Sequence, residues 1–119
     1  MNDLKSNPEF QQAEQFLQTA QNEFSRPEED VVPYMVCKNA YYSVKHYLTG
    51  FLQENGRQVA ASDSLEDVFG NCTALDARFN DLDLRLLFLE KKNKNIWTDL
   101  DTVNKYMAIA EKTRQLVLR

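Results

Sequence analysis

His46 is the single histidine of the 119-residue chain, and histidine is the side chain best suited to proton transfer near neutral pH. It lies beside Lys45 and Tyr47, about one helical turn from Tyr42. In this position it would serve as an acid–base group or as a contact for a nucleotide. Local spacing places no second catalytic group next to it. The pattern therefore favours a partly exposed helix residue or a hydrogen-bonded interface residue.

A short basic run precedes the one tryptophan of the chain. The candidate contacts in this run and at the tryptophan that follows it are Lys91, Lys92, Asn93, Lys94 and Trp97. Lysines neutralise phosphate charge and an indole ring stacks on a base, so the run is a candidate nucleotide- or RNA-binding site, with His46 as a further contact. A solvated loop is the commoner meaning of such a run.

Tyrosines are concentrated in the same stretch as His46. They are Tyr34, Tyr41, Tyr42 and Tyr47. Tyrosine buries a large area while keeping a polar tip, which explains its enrichment at protein interfaces. At helical spacing such residues form a core rim or a dimer interface more often than a platform for stacking bases. We therefore expect these four residues to lie at the interface of a homodimer.

Composition excludes several classes of function. The net charge of −4 does not favour nonspecific binding to nucleic acid through the whole-chain field. The sequence has no metal-binding Cys/His spacing, no glycine-rich phosphate loop and no serine-nucleophile signature, so we expect neither a metal nor a cofactor. No apolar run approaches the roughly 20 residues that cross a bilayer, and the N-terminal residues lack an apolar signal core. We expect a cytoplasmic protein without a membrane partner, in which Cys37 and Cys72 are reduced and buried.

Helical periodicity dominates the first half of the chain. A cap at Asn7 or Ser6 and a proline in the first turn predict a helix over about 8–25. The second predicted helix has Pro33 in its first turn and ends at about residue 54. Two apolar stripes run along it, one formed by Val36, Ala40, Val44, Tyr47 and Phe51 and the other by Cys37, Tyr41, Val44, Leu48 and Leu52. Two adjacent stripes make a wide face, which predicts a helix packed on more than one side.

Three further helices are predicted in the second half. Residues 63–64 supply a cap for a short helix of one or two turns that runs through residue 72. A longer helix follows over about 73–91, with the short polar residues at 80–81 as a potential break. The last helix opens at Thr98.

These elements together predict an all-α fold. Three glycines and three prolines leave few turns, and short connections between long helices favour antiparallel neighbours. We expect one domain over 1–119, an antiparallel up-and-down bundle of four main helices plus one short helix. Gly50 lies inside the second helix, where it predicts either close packing of a neighbouring helix or a kink.

The order of the helices resembles the HEPN domain family over about Phe10 to Leu118. Three segments carry the resemblance: KNAYYSVKHYLTGFLQENG, SLEDVFGNC and TDLDTVNKYMAIAEKTRQLV. The resemblance implies a helical bundle that often dimerises. Many members of the family act with nucleotidyltransferases, as toxin or antitoxin components, or as RNA-cutting domains.

The chain departs from the pattern of the RNA-cutting members. Those members carry a motif near the start of the last long helix: an Arg, a polar residue, a few variable positions and then a His. Here Lys92 and Asn93 stand in the first two places and Trp97 stands where the His is needed, and tryptophan cannot transfer a proton. We therefore expect a noncatalytic HEPN-like interaction module. It would act as a homodimer associated with a nucleotidyltransferase or a toxin–antitoxin type system. The alternative is a nucleotide- or RNA-binding domain, and an enzyme using His46 is the least favoured reading.

Overall fold

The computed structural model of the protein describes residues 7–88 and 100–118. Within these ranges the chain forms helices and no strand. The helices are α1 (Pro8–Phe24), α2 (Pro33–Glu54), α3 (Leu65–Leu75), α4 (Arg85–Phe88) and α5 (Leu100–Val117), with 3₁₀ turns at Glu28–Asp30 and Ala77–Asp81. The predicted all-α bundle is confirmed.

The first two helices run antiparallel. Asn7 caps α1 by accepting a hydrogen bond from the Glu9 backbone N–H at 2.8 Å, which satisfies one of the free amides at the helix start. Farther along α1, the Ser43 hydroxyl on α2 donates to the Ala13 carbonyl oxygen at 2.9 Å. These contacts fix the register of the pair that carries His46.

Helix α2 is the spine of the bundle, because it packs against α1, α3 and α5. Both apolar stripes predicted for it are buried in the core, except that Tyr41 is only partly buried. The helix ends at Glu54, and Gly56 follows with a φ of 78°, a left-handed conformation that glycine adopts without strain.

Gly50 is a site of close helix packing rather than of a kink. A Cβ atom placed on Gly50 would lie 2.7 Å from Cε1 and 2.9 Å from Cδ1 of Phe10. Helix α2 is assigned without a break from Pro33 to Glu54. The missing side chain at position 50 therefore lets the start of α1 lie directly against α2.

The second half of the chain differs from the predicted elements. The short helix, α3, has 11 residues rather than one or two turns, and Ser64 caps it. The continuous helix predicted over 73–91 is wrong, because Asp76 is extended (φ −149°, ψ 125°) and a 3₁₀ turn follows. Leu82 and Leu84 are buried on either side of the exposed Asp83, which is the alternation of an extended segment rather than the spacing of a helix.

Arg78 in the 3₁₀ turn holds this segment against the rest of the bundle. Its Nη1 donates to the Leu116 carbonyl oxygen near the end of α5 at 2.9 Å, and its Nη2 lies 3.0 Å from the Asp76 carboxylate. The guanidinium also lies 5.2 Å from the centre of the Phe51 ring on α2.

Among the described helices, none combines the length and apolar composition that a membrane span requires.

Candidate functional site

His46 forms a pair with a carboxylate from another helix. Its Nδ1 lies 2.6 Å from Oε1 of Glu9, in the first turn of α1. The two side chains are 25% and 28% exposed, so water reaches the pair while the helices hold it. Sequence reasoning missed Glu9, because 37 positions separate it from His46 and no local spacing joins them.

An aromatic ring fixes the plane of the His46 imidazole. Phe16 of α1 stacks on the imidazole with ring centres 5.4 Å apart and an angle of 12° between planes. The same phenyl ring contacts Tyr42 at 5.4 Å. The carboxylate of Glu9 and the ring of Phe16 together set the orientation of the histidine, an arrangement that suits a group presented to a ligand.

An open pocket of about 300 Å³ lies beside this pair. Residues of α1, α2 and the loop that follows α2 line it: Glu9, Tyr42, Lys45, His46, Thr49, Val59, Ala60 and Ala61. The α2 members are spaced i, i+3, i+4 and i+7, which places them on one side of the helix. The structure therefore brings an imidazole, an ammonium group and a hydroxyl together beside a wall of small apolar side chains.

Exposed apolar side chains are concentrated elsewhere on α2 and just before it. In the described ranges, the large hydrophobic side chains that are exposed all lie between positions 24 and 42, and each is 37% to 50% exposed. They are Phe24, Val32, Tyr34, Met35 and Tyr42. The surface formed by the exposed Tyr34, Met35 and Tyr42 and the partly exposed Lys38 and Tyr41 is called the α2 aromatic face below.

Contacts within the α2 aromatic face order its rings. The Lys38 ammonium lies 5.7 Å from the centre of the Tyr34 ring, a cation–π distance. Tyr41 and Tyr42 meet edge to face at 5.7 Å. Three of the four tyrosines predicted at an interface therefore lie on one exposed or partly exposed surface.

Tyr47 does not belong to that surface, and this corrects the prediction that placed it at a dimer interface. Its side chain is fully buried, because it lies on one of the two inward stripes of α2. Its hydroxyl has no hydrogen-bond partner within the described ranges. Burial, followed by the nearby Glu14 carboxylate, raises the pKa of Tyr47 well above its usual range. Glu14 pairs with Arg114 of α5 at 2.8 Å, so the hydroxyl lies in a junction of α1, α2 and α5.

The charged residues near α4 are paired with one another. An open groove of about 560 Å³ between α4 and α5 is lined in part by Arg85 and Lys105. Arg85 lies 2.7 Å from Asp83, and its hydrogen bonds lower the pKa of that carboxyl to about 2. Lys105 lies 3.1 Å from Asp101. All four side chains are more than half exposed, and exposed pairs of this kind contribute little to stability.

The predicted ligand contacts Lys91, Lys92, Asn93, Lys94 and Trp97 lie outside the described residues. No group of three or more His, Cys, Asp or Glu side chains is placed to hold a metal ion in the ranges 7–88 and 100–118. Cys37 and Cys72 are both buried, as predicted, and burial raises the pKa of the Cys72 thiol to about 12.

Comparison with known protein families matches most of the chain. A family model described as HEPN domain matches residues 9–115. The match begins at the carboxylate that pairs with His46 and ends within the last helix. No curated protein and no solved structure is matched by the chain.

Proposed function

The chain belongs to the HEPN domain family, and from this premise we propose that it is a noncatalytic HEPN module that acts through protein contacts as a homodimer. One observation supports the dimer most strongly: the exposed large hydrophobic side chains of the described ranges cluster at the α2 aromatic face and the residues just before it. Clustered apolar exposure marks a surface that is covered in the working state of a protein.

A second copy of the chain suits this face. In a two-fold dimer the same patch meets itself, so the face must be compatible with its own chemistry. Tyrosine rings with polar tips meet this condition, because they stack on one another and still reach water or a hydrogen-bond partner. Lys38 carries the one formal charge of the face, and the ring of Tyr34 lies beside it.

Site-directed crosslinking tests which face the two copies share. The native cysteines are fully buried, so a thiol introduced by Lys38→Cys would be the one that reacts with a short bismaleimide. We expect a covalent dimer from Lys38→Cys and none from the control Lys105→Cys on α5. Equal yields from both variants, or a dimer from the control alone, would overturn the assignment of the α2 aromatic face.

The absence of catalysis is inferred from the position of the histidine. RNA-cutting members of the family use a His near the start of the last helix, whereas the single His of this chain lies on α2 and pairs with Glu9. Within the described ranges, the pocket beside His46 has no lining residue from α4 or α5. We expect no RNA cleavage by the parent protein. Cleavage by the parent that disappears in His46→Ala would contradict this part of the proposal.

The family also suggests the partner of the module. Many HEPN proteins act with nucleotidyltransferases or in toxin–antitoxin systems, and we propose a partner of that class here. Co-expression with the product of the adjacent gene tests this idea. A stable complex with a nucleotidyltransferase supports the proposal, and separate elution of the two proteins rejects it.

A second candidate function uses the basic run before the last helix. Lys91, Lys92, Lys94 and Trp97 combine phosphate-neutralising charge with a ring that stacks on bases, so we propose nucleotide or RNA binding there as the alternative. Trp97 is the one tryptophan of the chain, which makes its fluorescence a specific probe. Titration with nucleotides and short RNA at low salt should quench it, and less so in a Lys92→Gln/Lys94→Gln variant. An unchanged signal for every ligand would exclude this function.

A further inference from the structure

The pocket beside Glu9 and His46 has the chemistry of a small-molecule site, which neither the dimer nor the family match explains. Its polar groups come from one stripe of α2 and from the start of α1. Its volume of about 300 Å³ lies at the lower end of the range for ligand pockets. The pocket is therefore large enough for a compact organic molecule and too small for a protein segment with several side chains.

The charges that line the pocket favour an anion. The lining residues include one carboxylate, Glu9, and it is already engaged by Nδ1 of His46 at 2.6 Å. This pairing leaves Nε2 of His46 for a ligand. The ammonium group of Lys45 lines the same pocket. The Lys45 ammonium is a cationic donor and an Nε2–H of His46 is a second donor in the same lining, and such a pair suits a phosphate or carboxylate.

The part of the lining that comes from the loop after α2 is apolar, and hydrogen bonds within the loop hold it in place. Val59, Ala60 and Ala61 form it. The Ala60 N–H donates to the Asp63 side chain at 2.9 Å, and the Asp63 N–H donates to the Ala60 carbonyl oxygen at 3.0 Å. At the start of the loop the Arg57 N–H donates to the Leu52 carbonyl oxygen of α2 at 2.9 Å. These hydrogen bonds fix the loop, which lowers the entropic cost of binding.

We propose that this pocket binds a small anionic molecule, a phosphate monoester or a carboxylate that carries an apolar substituent. The anionic group lies between Nε2 of His46 and Nζ of Lys45, and the substituent lies against Val59 and Ala60. Thr49, which is 8% exposed, is a further hydroxyl-bearing residue of the lining. Glu9 and Phe16 are positioning residues, since they hold the imidazole rather than touch the ligand.

This site is separable from the α2 aromatic face. Tyr42 belongs to both surfaces, but Tyr34 belongs to the face and does not line the pocket. A Tyr34→Ala variant therefore weakens the proposed dimer while it leaves the pocket intact. Binding that persists in this variant shows that the ligand site does not depend on the dimer.

Calorimetric titration with simple probes tests the proposal. Phenyl phosphate and benzoate present the two anionic groups on the same ring, and benzamide is their neutral counterpart. The proteins compared are the parent, Lys45→Gln, His46→Gln, Tyr34→Ala and, as a lysine control on another helix, Lys105→Gln. Far-UV circular dichroism checks that each variant keeps its helical content.

We expect saturable binding of at least one anion, with a dissociation constant of about 1 mM or lower for so small a probe. Binding of phenyl phosphate but not benzoate identifies a phosphate site, and binding of benzoate but not phenyl phosphate identifies a carboxylate site. Benzamide should not bind. Affinity should fall about tenfold in Lys45→Gln and in His46→Gln, which corresponds to about 1.4 kcal/mol, and stay unchanged in Lys105→Gln and Tyr34→Ala. The proposal is overturned by saturation with neither anion, or by an equal loss of affinity in Lys45→Gln and Lys105→Gln.

Discussion

Replacing Gly50 by alanine tests how closely α1 and α2 pack at the candidate site. The new Cβ would lie 2.7 Å from the Phe10 ring and 3.2 Å from the Glu9 Cβ. Phe10 is 4% exposed, so its ring cannot swing into solvent and must push against the core. Gly70 in α3 provides the matched control, because a Cβ there meets no atom within 4 Å.

The two substitutions separate helix propensity from packing. Alanine is favoured over glycine in a helix by about 1 kcal/mol, and this gain applies at both positions. At position 50 a displaced ring in a packed core opposes it by about 1–3 kcal/mol. We therefore expect Gly70→Ala to raise the free energy of unfolding by up to about 1 kcal/mol and Gly50→Ala to lower it by up to about 2 kcal/mol.

Urea denaturation followed by far-UV circular dichroism measures both effects. The midpoint should fall in Gly50→Ala and rise in Gly70→Ala, with the slope unchanged in each. The His46 ring resonances should also shift in Gly50→Ala, because Glu9 precedes the displaced Phe10 directly. The reasoning is refuted if Gly50→Ala is as stable as Gly70→Ala, since the close approach of α1 would then carry no energetic consequence.

Three further predictions concern the core and its edges. Tyr47→Phe removes a buried hydroxyl that has no hydrogen-bond partner in the described ranges, so the free energy of unfolding should stay the same or rise by up to about 1 kcal/mol. A loss above about 1 kcal/mol in urea denaturation would instead show that Glu14 or Arg114 bonds to this hydroxyl in solution. Arg78→Ala should lower stability by about 1–3 kcal/mol, because it removes a charged hydrogen bond to the Leu116 carbonyl and a ring contact, and hydrogen exchange at the end of α5 should accelerate. Unaltered exchange there would contradict the role given to Arg78. The pKa of the buried Cys72 thiol is raised from 9.0 to about 12, so its contribution to stability is complete below pH 9 and is lost as the pH rises toward 12. Native protein at pH 8 should therefore resist a thiol reagent that labels it in urea, and rapid native labelling of Cys72 would count against its burial.

The first half of the fold follows from local signals in the sequence. Asn7 with Pro8 starts α1, and Gly56 ends α2, because capping and left-handed backbone are decided by residues close in the chain. The stripe that contains Tyr47 predicted its burial correctly. The prediction that groups Tyr47 with the other three tyrosines is wrong, because Tyr47 lies on an inward stripe of α2 whereas Tyr34 and Tyr42 are exposed.

The second half shows where periodicity misleads. The leucines between residues 82 and 87 favour a helix over about 73–91, yet the exposed Asp83 between the buried Leu82 and Leu84 gives the alternation of an extended segment. The sequence predicts one or two turns after residue 64, but α3 continues to Leu75 because Leu65, Val68 and Cys72 are buried in the core.

The candidate site depends on contacts that no local pattern contains. His46 could be singled out by its type, but its partner Glu9 lies on α1 and the wall formed by Val59 and Ala60 lies in a loop. The register that joins them depends on the missing side chain at Gly50. Such contacts are a property of the folded bundle, so the sequence alone predicts a histidine without its pocket.

Sedimentation velocity over a range of concentrations tests most directly the claim that this HEPN protein is a homodimer formed by the α2 aromatic face. At tens of micromolar the account predicts a species with the mass of two 13.9 kDa chains. A Tyr34→Ser/Met35→Ser variant should sediment as a monomer, while Asn104→Ser on the exposed side of α5 should match the parent. A parent protein that stays at 13.9 kDa throughout, or a dimer that both variants retain equally, would contradict the account.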